Sequence, residues 1–125
     1  MQISLYPTQE QLEALLADAS DGPVVMVNLL RFKPGGEAAY RRYATAMRRL
    51  VEGRGGRFLW SGRITSQVVG SGGESFEIVG LVEYPSRKVF VEIATSREVA
   101  EIGVHRSEGL EGQWLLAATA ESLEG

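Results

Sequence analysis

The sequence predicts an α+β fold, a ferredoxin-like βαββαβ protomer preceded by an extra helix. Two observations predict it. Hydrophobic residues recur with a period of about two in some segments and about 3.6 in others, and the resulting order of elements is α-β-α-β-β-α-β. Turns rich in glycine and proline separate these segments. This order corresponds to an antiparallel four-stranded sheet with helices on one face.

Composition indicates a single domain over residues 1–125, with 1–22 as an N-terminal helical extension and 23–120 as the ferredoxin-like core. Hydrophobic residues make up 44% and charged residues 23%, which is ordinary for a globular protein. No apolar run approaches the roughly 18–20 residues of a membrane span, and no secretory signal is visible. The chain has no cysteine, which excludes disulfides and thiolate chemistry. We therefore expect a cytoplasmic protein without a membrane partner.

The first two predicted elements are a helix, Thr8–Ala19, and a strand, Val24–Phe32. Thr8 and Gln11 have the spacing of a capping box, in which each residue's side chain bonds the other's backbone N–H. The strand is apolar on both faces, which is typical of a strand covered on both sides, except at Asn28. Because a buried amide needs a hydrogen-bond partner, Asn28 has either a structural bond or a function.

The remaining elements follow the same two periodicities. Ser86 follows a Tyr-Pro pair and is a suitable N-cap for a helix. The predicted elements are a helix over Glu37–Val51, strands over Arg57–Val69 and Ser75–Tyr84, a helix over Ser86–Ala94, a helix from Thr95 or Ser96 to about Arg106, and a final strand over Gln113–Ala120.

The predicted sheet has more large apolar residues than its helices can cover. Such a surplus on the second face of a sheet would leave a large exposed apolar patch. A second copy packed against that face would cover it, so we expect a two-fold homodimer whose two sheets form a dimeric α/β barrel. The residues that indicate this are Phe58, Trp60, Ile64, Phe76, Ile78, Val82, Trp114 and Leu116.

Charge is distributed unevenly along the chain. The net charge is −3, yet the segment Arg31–Arg63 contains nine of the thirteen cations and only two of the sixteen acids. Such an asymmetry can mark an anion-binding face, and it can equally be the solvated side of an arginine-rich helix, which is the interpretation we favour. A nucleic-acid partner is not expected, because such proteins are more often basic overall with interleaved surface aromatic residues.

Several segments together resemble an uncharacterised family, a domain of unknown function within the dimeric α+β barrel superfamily. The resemblance covers about Pro23 to Ala118. It implies a ferredoxin-like protomer and a face-to-face dimer, and no activity of its own. Relatives in the wider superfamily include cofactor-independent monooxygenases, lactone isomerases, heme-degrading enzymes and ligand-sensing domains. The segments that carry it are VVMVNLLRFK (Val24–Lys33), Tyr40, Tyr43, the pair Gly55-Gly56, VEYPSR (Val82–Arg87) and Phe90.

Asn28, Arg31, Tyr40 and Tyr43 are the first candidate ligand-binding residues. Asn28 offers two donors and an acceptor, Arg31 a forked cation, and the tyrosines hydroxyl groups. On an ideal strand Asn28 and Arg31 point to opposite faces, so a shared pocket requires a bulge or a strand end at Arg31. The alternative is that Asn28 satisfies backbone groups, Arg31 pairs with an acid and both tyrosines belong to the core. Both interpretations stay open.

Tyr84 and His105 complete the candidates. Tyr84 would line an aromatic cavity or belong to the core. His105 follows Glu98 and Glu101 with a spacing that places the three on one helix face, which suits an acid-base pair or, more often, a solvated face with an ion pair between Glu101 and His105. A structural zinc site needs more ligands, so we predict no metal and no cofactor.

No motif specifies a reaction, and two functions stay open. The first is a pocket that binds a small, partly aromatic or anionic molecule, with oxygenase- or isomerase-like activity as a further option. The second is a non-catalytic homodimeric regulatory or interaction module, which predicts a packed interior with no accessible pocket.

Overall fold

The computed structural model of the protein describes residues 2–18 and 20–124. Its helices and strands follow the predicted order, and the two helices predicted after the third strand are separate. They are α1 Gln9–Ala17, β1 Val24–Phe32, α2 Glu37–Gly53, β2 Arg57–Arg63, β3 Ile78–Tyr84, α3 Arg87–Ala94, α4 Arg97–Gly109 and β4 Leu110–Ala118. The predicted end of the first helix, Ala19, lies outside the described residues.

The four strands form one antiparallel sheet in the order β2-β3-β1-β4. This is the arrangement of a ferredoxin-like βαββαβ core, and it confirms the predicted fold class. Met26 on β1 lies opposite Val82 on β3 and Ala117 on β4, so β1 is an interior strand paired along its length. Interior pairing on both sides accounts for the continuous hydrophobicity of β1.

Capping residues define the helix ends much as the sequence predicts. The Thr8 Oγ1 accepts from the Gln11 N–H at 3.1 Å, and the Gln11 Oε1 accepts from the Thr8 N–H at 2.9 Å, which confirms the capping box. The Ser86 hydroxyl accepts from Val89 N–H at 3.1 Å at the start of α3. Ser96 repeats this arrangement at the start of α4. Each cap satisfies a backbone N–H that has no partner within its helix.

Both strands of the β2–β3 hairpin are shorter than predicted. The Ile64 N–H still donates to the Glu77 carbonyl at 2.8 Å, but β2 ends at Arg63 and β3 begins at Ile78. Between them, Gly70 and Gly72 have φ of +83° and +94°, a conformation that extended strands do not adopt. A single 3-10 turn follows at Gly73–Ser75, so this connection is a structured loop rather than a continuation of the sheet.

The junction between α4 and β4 also differs from the prediction. The helix continues to Gly109 and the strand begins at Leu110, three residues earlier than expected. A Cβ on Gly109 would lie 2.7 Å from the Gly36 carbonyl oxygen, so α4 ends where its backbone touches the start of α2. The Lys33 N–H donates to the Gly109 carbonyl at 2.8 Å and joins the end of β1 to this contact.

Gly55 and Gly56 precede β2, and each position favours glycine for a different structural reason. Gly55 has φ of +86°, which allows the chain to turn after α2. A Cβ on Gly56 would lie 2.6 Å from the Glu83 carbonyl oxygen, so this position requires a residue without a side chain.

Beneath this turn lies the buried core between the helices and the sheet. Its members are Val24, Met26, Val51, Tyr84, Phe90 and Ile93.

Strand register divides the side chains between two faces of the sheet. Asn28 lies opposite Gly80 and Leu115 on the face that the helices cover. Phe58, Ile78 and Val82, three of the predicted surplus of large apolar residues, share that helix-covered face by their pairing. The opposite face, which no helix within the described residues covers, carries Val27, Leu29, Val79, Leu81, Trp60, Trp114 and Leu116. We call this set the open face.

Ion pairs account for most of the arginine-rich segment. Arg31 lies 3.3 Å from Glu111, Arg54 lies 2.7 Å from Glu92, and Arg57 lies 3.0 Å from Glu83. Further pairs join Arg48 to Glu52, and both Arg41 and Arg63 to Glu37. These pairs are largely exposed and agree with the solvated interpretation of the segment. In the part of the chain that the structure describes, no helix is long and apolar enough to cross a membrane.

Candidate functional site

A cavity of about 1280 Å³ lies between the sheet and the helices. Its walls are mostly apolar and aromatic, with a few polar groups, which is the usual composition of a small-molecule site. The sheet contributes Met26, Asn28, Leu30, Gly80, Val82 and Leu115, and the helices contribute Tyr40, Tyr43, Met47, Phe90, Val99 and Arg106.

Arg106 is a charged residue that is buried and lines the cavity. Only 9% of its surface is exposed, and within the described chain no carboxylate pairs with it. Its guanidinium lies 5.2 Å from the ring centroid of Tyr6 and 5.9 Å from that of Tyr43. Aromatic faces attract a cation but do not neutralise it. Arg106 therefore lines the cavity as a largely buried residue without a carboxylate partner in the described chain.

Tyr40 and Tyr43 form an aromatic wall opposite the sheet. Their rings are stacked, with centroids 5.5 Å apart and planes inclined by 20°, and Phe32 packs against Tyr40 at 5.7 Å. Successive turns of α2 bring the two tyrosines onto its sheet-facing side. Among residues 2–18 and 20–124, no protein group hydrogen-bonds to either hydroxyl.

Burial controls the protonation of these tyrosines. It raises the pKa of Tyr40 well above its ordinary value of 10.0, and the neighbouring Tyr43 adds to the rise. Burial likewise raises the pKa of Tyr43, although Arg106 opposes this increase. Burial is also the main reason that the pKa of Tyr84 is raised. All three are neutral hydroxyl groups near pH 7, so they can donate hydrogen bonds to a ligand but are poor bases.

Asn28 lies on the cavity floor with its amide orientation fixed by the backbone. The Nδ2 group donates to the Met26 carbonyl at 3.2 Å and to the Gly80 carbonyl at 3.3 Å. Because a carbonyl oxygen only accepts, both bonds require the NH₂ end of the amide, and the Oδ1 atom is left as an acceptor. The Asn28 side chain is therefore hydrogen-bonded to the backbone and also lines the cavity, two roles that the sequence left open as alternatives.

The structure brings four of the six sequence-predicted residues together and separates the other two. Asn28, Tyr40, Tyr43 and Tyr84 line the cavity. Arg31 lies on the other side of the sheet, beside Glu111, in a shallow cleft of about 480 Å³ at the strand ends. A register shift does occur after Arg31, but it does not bring that side chain to Asn28.

His105 is outside the cavity lining, although its neighbours on α4 contribute to it. Its Nδ1 is buried and has no hydrogen-bond partner in the described part of the chain. Glu101 pairs with Arg97 at 3.1 Å, rather than with His105 as expected. No three His, Cys, Asp or Glu side chains of the described ranges are grouped so that they could hold a metal ion.

Sequence reasoning missed Arg106, the main polar feature of the site. In the sequence it is the last cation of α4, next to His105, and resembles an ordinary C-terminal helix cation. The contact between Gly109 and Gly36 brings the end of α4 against α2, where the Arg106 guanidinium lies 5.9 Å from the Tyr43 ring centroid. The one signal in the sequence was Gly109, three residues after Arg106. A glycine allows a helix end to pack closely against its neighbour, and such packing limits which side chains reach solvent.

The chain has a ferredoxin-like α+β fold with a cavity between its helices and its sheet. A family model described as "Domain of unknown function (DUF1330)" matches residues 29–120, and the chain therefore belongs to this family. The predicted resemblance is confirmed. None of the curated proteins matches the chain.

Solved structures with the same fold agree with this assignment. The methylated RPA0582 protein, of unknown function and from Rhodopseudomonas palustris, is 27% identical, covers 100% of both chains and has a TM-score of 0.87. A dabb family protein with a ferredoxin-like fold from Mesorhizobium loti is 10% identical over 82% of this chain and 100% of its own, with a TM-score of 0.59. SnoaB, a cofactor-independent oxygenase from Streptomyces nogalater, is 13% identical over 81% and 95%, with a TM-score of 0.54. At such low identity the last two show the fold alone.

Proposed function

We propose that this protein binds a small aromatic anion, such as an aromatic carboxylate, in the cavity between its sheet and its helices. The observation that carries the proposal is the largely buried residue Arg106, which has no acidic partner in the described chain and lines an aromatic cavity. An isolated buried charge is unfavourable, and a bound carboxylate would remove that cost while forming paired hydrogen bonds with the guanidinium. Asn28, Tyr40, Tyr43 and Tyr84 would orient the ligand.

The charge of the cavity wall supports an anionic ligand. Its cations are Arg41, Arg48, Arg63 and Arg106, whereas Glu37 is the one carboxylate among the described lining residues. Glu37 already pairs with both Arg41 and Arg63. Arg48 pairs with Glu52, so Arg106 is the lining cation without an acidic partner in the described chain, and its charge favours an anionic ligand.

The same groups favour binding over oxygenase- or isomerase-like chemistry. A reaction of that kind that begins with proton removal from the ligand requires a base in the cavity. The lining tyrosines have raised pKa values, Glu37 is held in ion pairs, and His105 lies outside the lining. The likeness to SnoaB concerns the fold and does not supply such a base.

Two probes that differ by one charge test this proposal. Anilinonaphthalene sulfonate is an aromatic anion, and N-phenylnaphthylamine is a neutral analogue of it. Because a charge-assisted hydrogen bond contributes about 1.5–3 kcal/mol, Arg106→Met should weaken sulfonate binding about ten- to a hundredfold. Binding of the neutral probe should change little, and Arg106→Lys should be intermediate. Equal losses for both probes, or no loss for the sulfonate, would contradict an anion site at Arg106.

A second copy of this chain is the proposed partner of the open face. Trp60 is 59% exposed, Leu116 50% and Trp114 36%, and half-buried aliphatic residues of β1 and β3 lie between them. The charged residues next to this patch are already paired with each other, Arg31 with Glu111 and Arg57 with Glu83. A two-fold copy of the same surface would therefore meet apolar side chains without an unpaired charge. This supports a homodimer. Such a dimer would bind the ligand in its cavities or, as the alternative, would act as a non-catalytic regulatory or interaction module.

A further inference from the structure

Gly80 has no structural reason to be glycine. It lies inside β3, an interior strand, where β-branched residues are usual and glycine weakens the sheet. Its φ is not positive, and a Cβ built there would meet only the Cβ atoms of Asn28 and Ser61, both at 3.9 Å. Neither the backbone nor the packing thus excludes a side chain. The effect of this glycine is to leave a gap in the cavity floor.

Two polar side chains border this gap. Asn28 on β1 and Ser61 on β2 are the register partners of Gly80 on its two sides, so the three form one row across the sheet. The Nδ2 of Asn28 is held by two carbonyl oxygens, one of them from Gly80, and the Oδ1 remains to accept a hydrogen bond. Within the described residues the Ser61 hydroxyl has no hydrogen-bond partner.

We propose that this row, which we call the floor gap (Asn28, Gly80 and Ser61), is a subsite for a hydroxyl group on the ligand. An O–H group seated over Gly80 would donate to the Asn28 Oδ1 and be able to exchange a second hydrogen bond with Ser61. A strand glycine is often found where a ligand approaches the backbone closely. The inference rests on the proposed function, and it narrows the ligand class to hydroxylated aromatic acids, with the acid group at Arg106.

Naphthoate and its hydroxynaphthoate isomers are suitable probes, because they share one aromatic acid and differ only in the hydroxyl. Direct titration should show the best hydroxylated isomer binding the wild-type protein about three- to tenfold tighter than naphthoate, the usual effect of one net hydrogen bond. Asn28→Leu removes the acceptor, and Gly80→Ala fills the gap without a steric clash. Each should reduce the preference for the hydroxylated isomer over naphthoate to about onefold, because naphthoate has no hydroxyl group that could use this subsite.

Gly103→Ala is the matched control. Gly103 also lines the cavity, on α4, and a Cβ there would meet no atom within 4 Å. This variant should keep the wild-type preference for the hydroxylated isomer. Circular dichroism of each variant verifies that it is folded.

The outcomes separate the two proposals. If naphthoate binds through Arg106 but no isomer binds tighter, or if the preference survives in both Asn28→Leu and Gly80→Ala, the floor gap is not a hydroxyl subsite. If naphthoate binds Arg106→Met as well as wild type, or does not bind at all, the anion site itself is wrong.

Discussion

The guanidinium of Arg106 lies 5.2 Å from the ring centroid of Tyr6, a residue that precedes the first helix and the whole βαββαβ core. The Tyr6 hydroxyl is 2.9 Å from the Ser107 hydroxyl, and Ser4 pairs with Gln113 through backbone hydrogen bonds. The N-terminal segment thus pairs with the edge strand β4 at Ser4, and its Tyr6 and Pro7 line the cavity. It contributes to the site as well as to the fold.

The first prediction concerns this contact. Tyr6→Ala removes the ring over Arg106 and the bond to Ser107, and we expect a loss of about 1–2 kcal/mol in the free energy of unfolding. Tyr6→Phe keeps the ring and should lose only about half as much. Urea denaturation of the three proteins measures both values. If the two variants are equally destabilised, the cation–ring contact contributes nothing.

The second prediction concerns pH. The pKa values of Tyr40, Tyr43 and Tyr84 are raised in the folded protein, chiefly by burial. The unfolded chain releases these protons near pH 10 while the folded protein retains them, so stability is unaffected below about pH 10 and falls as pH rises further.

Absorbance at alkaline pH, with circular dichroism recorded alongside, tests this. The phenolate signal of these three tyrosines should appear together with unfolding. Their ionisation in a protein that is still folded, near pH 10, would show that the rings are not buried as described.

The third prediction compares two glycines of α4. Gly109→Ala would place a Cβ 2.7 Å from the Gly36 carbonyl oxygen and 2.7 Å from the Tyr40 nitrogen, both backbone atoms. Overpacking of this kind should cost about 1–3 kcal/mol of stability and shift Tyr40. Gly103→Ala meets no atom within 4 Å and should stabilise the helix by about 0.5–1 kcal/mol. Thermal denaturation distinguishes them, and equal melting temperatures would contradict the close approach of α2 and α4.

The fourth prediction concerns the open face. A charge at Trp60 would be buried in the proposed dimer, so Trp60→Glu should shift the equilibrium towards monomer. Leu16→Glu is the control, because Leu16 is similarly exposed, at 49%, on α1 away from this face. Sedimentation velocity should show dimers for the wild-type and Leu16→Glu proteins. A monomeric wild-type protein would contradict the proposed partner.

The fold was predictable because its signals are local. The capping box of Thr8, the Ser86 cap and the period-two strands each depend on residues close together in sequence, and the order of elements then limits the topology. The hairpin limits were missed because two positive-φ glycines end the pairing, and hydrophobic periodicity does not report φ.

The site was only partly predictable for a related reason. Asn28 is conspicuous because an amide interrupts an apolar strand, and the structure places it on the cavity floor. Arg106 was missed because its burial depends on how two helices meet, which is a long-range contact. Arg31 has the same chemistry as Arg106 but lies on the other side of the sheet with Glu111, and sequence alone does not distinguish a paired arginine from an unpaired one.

The measurement that tests the central claim most directly is a crystal structure of the protein grown with naphthoate at saturating concentration. We predict that the naphthoate carboxylate lies within hydrogen-bond distance of the Arg106 guanidinium, with its ring system between the tyrosine wall and Gly80. Naphthoate bound only at the open face, or a cavity filled by protein side chains, would contradict the claim that this cavity is an anion-binding site.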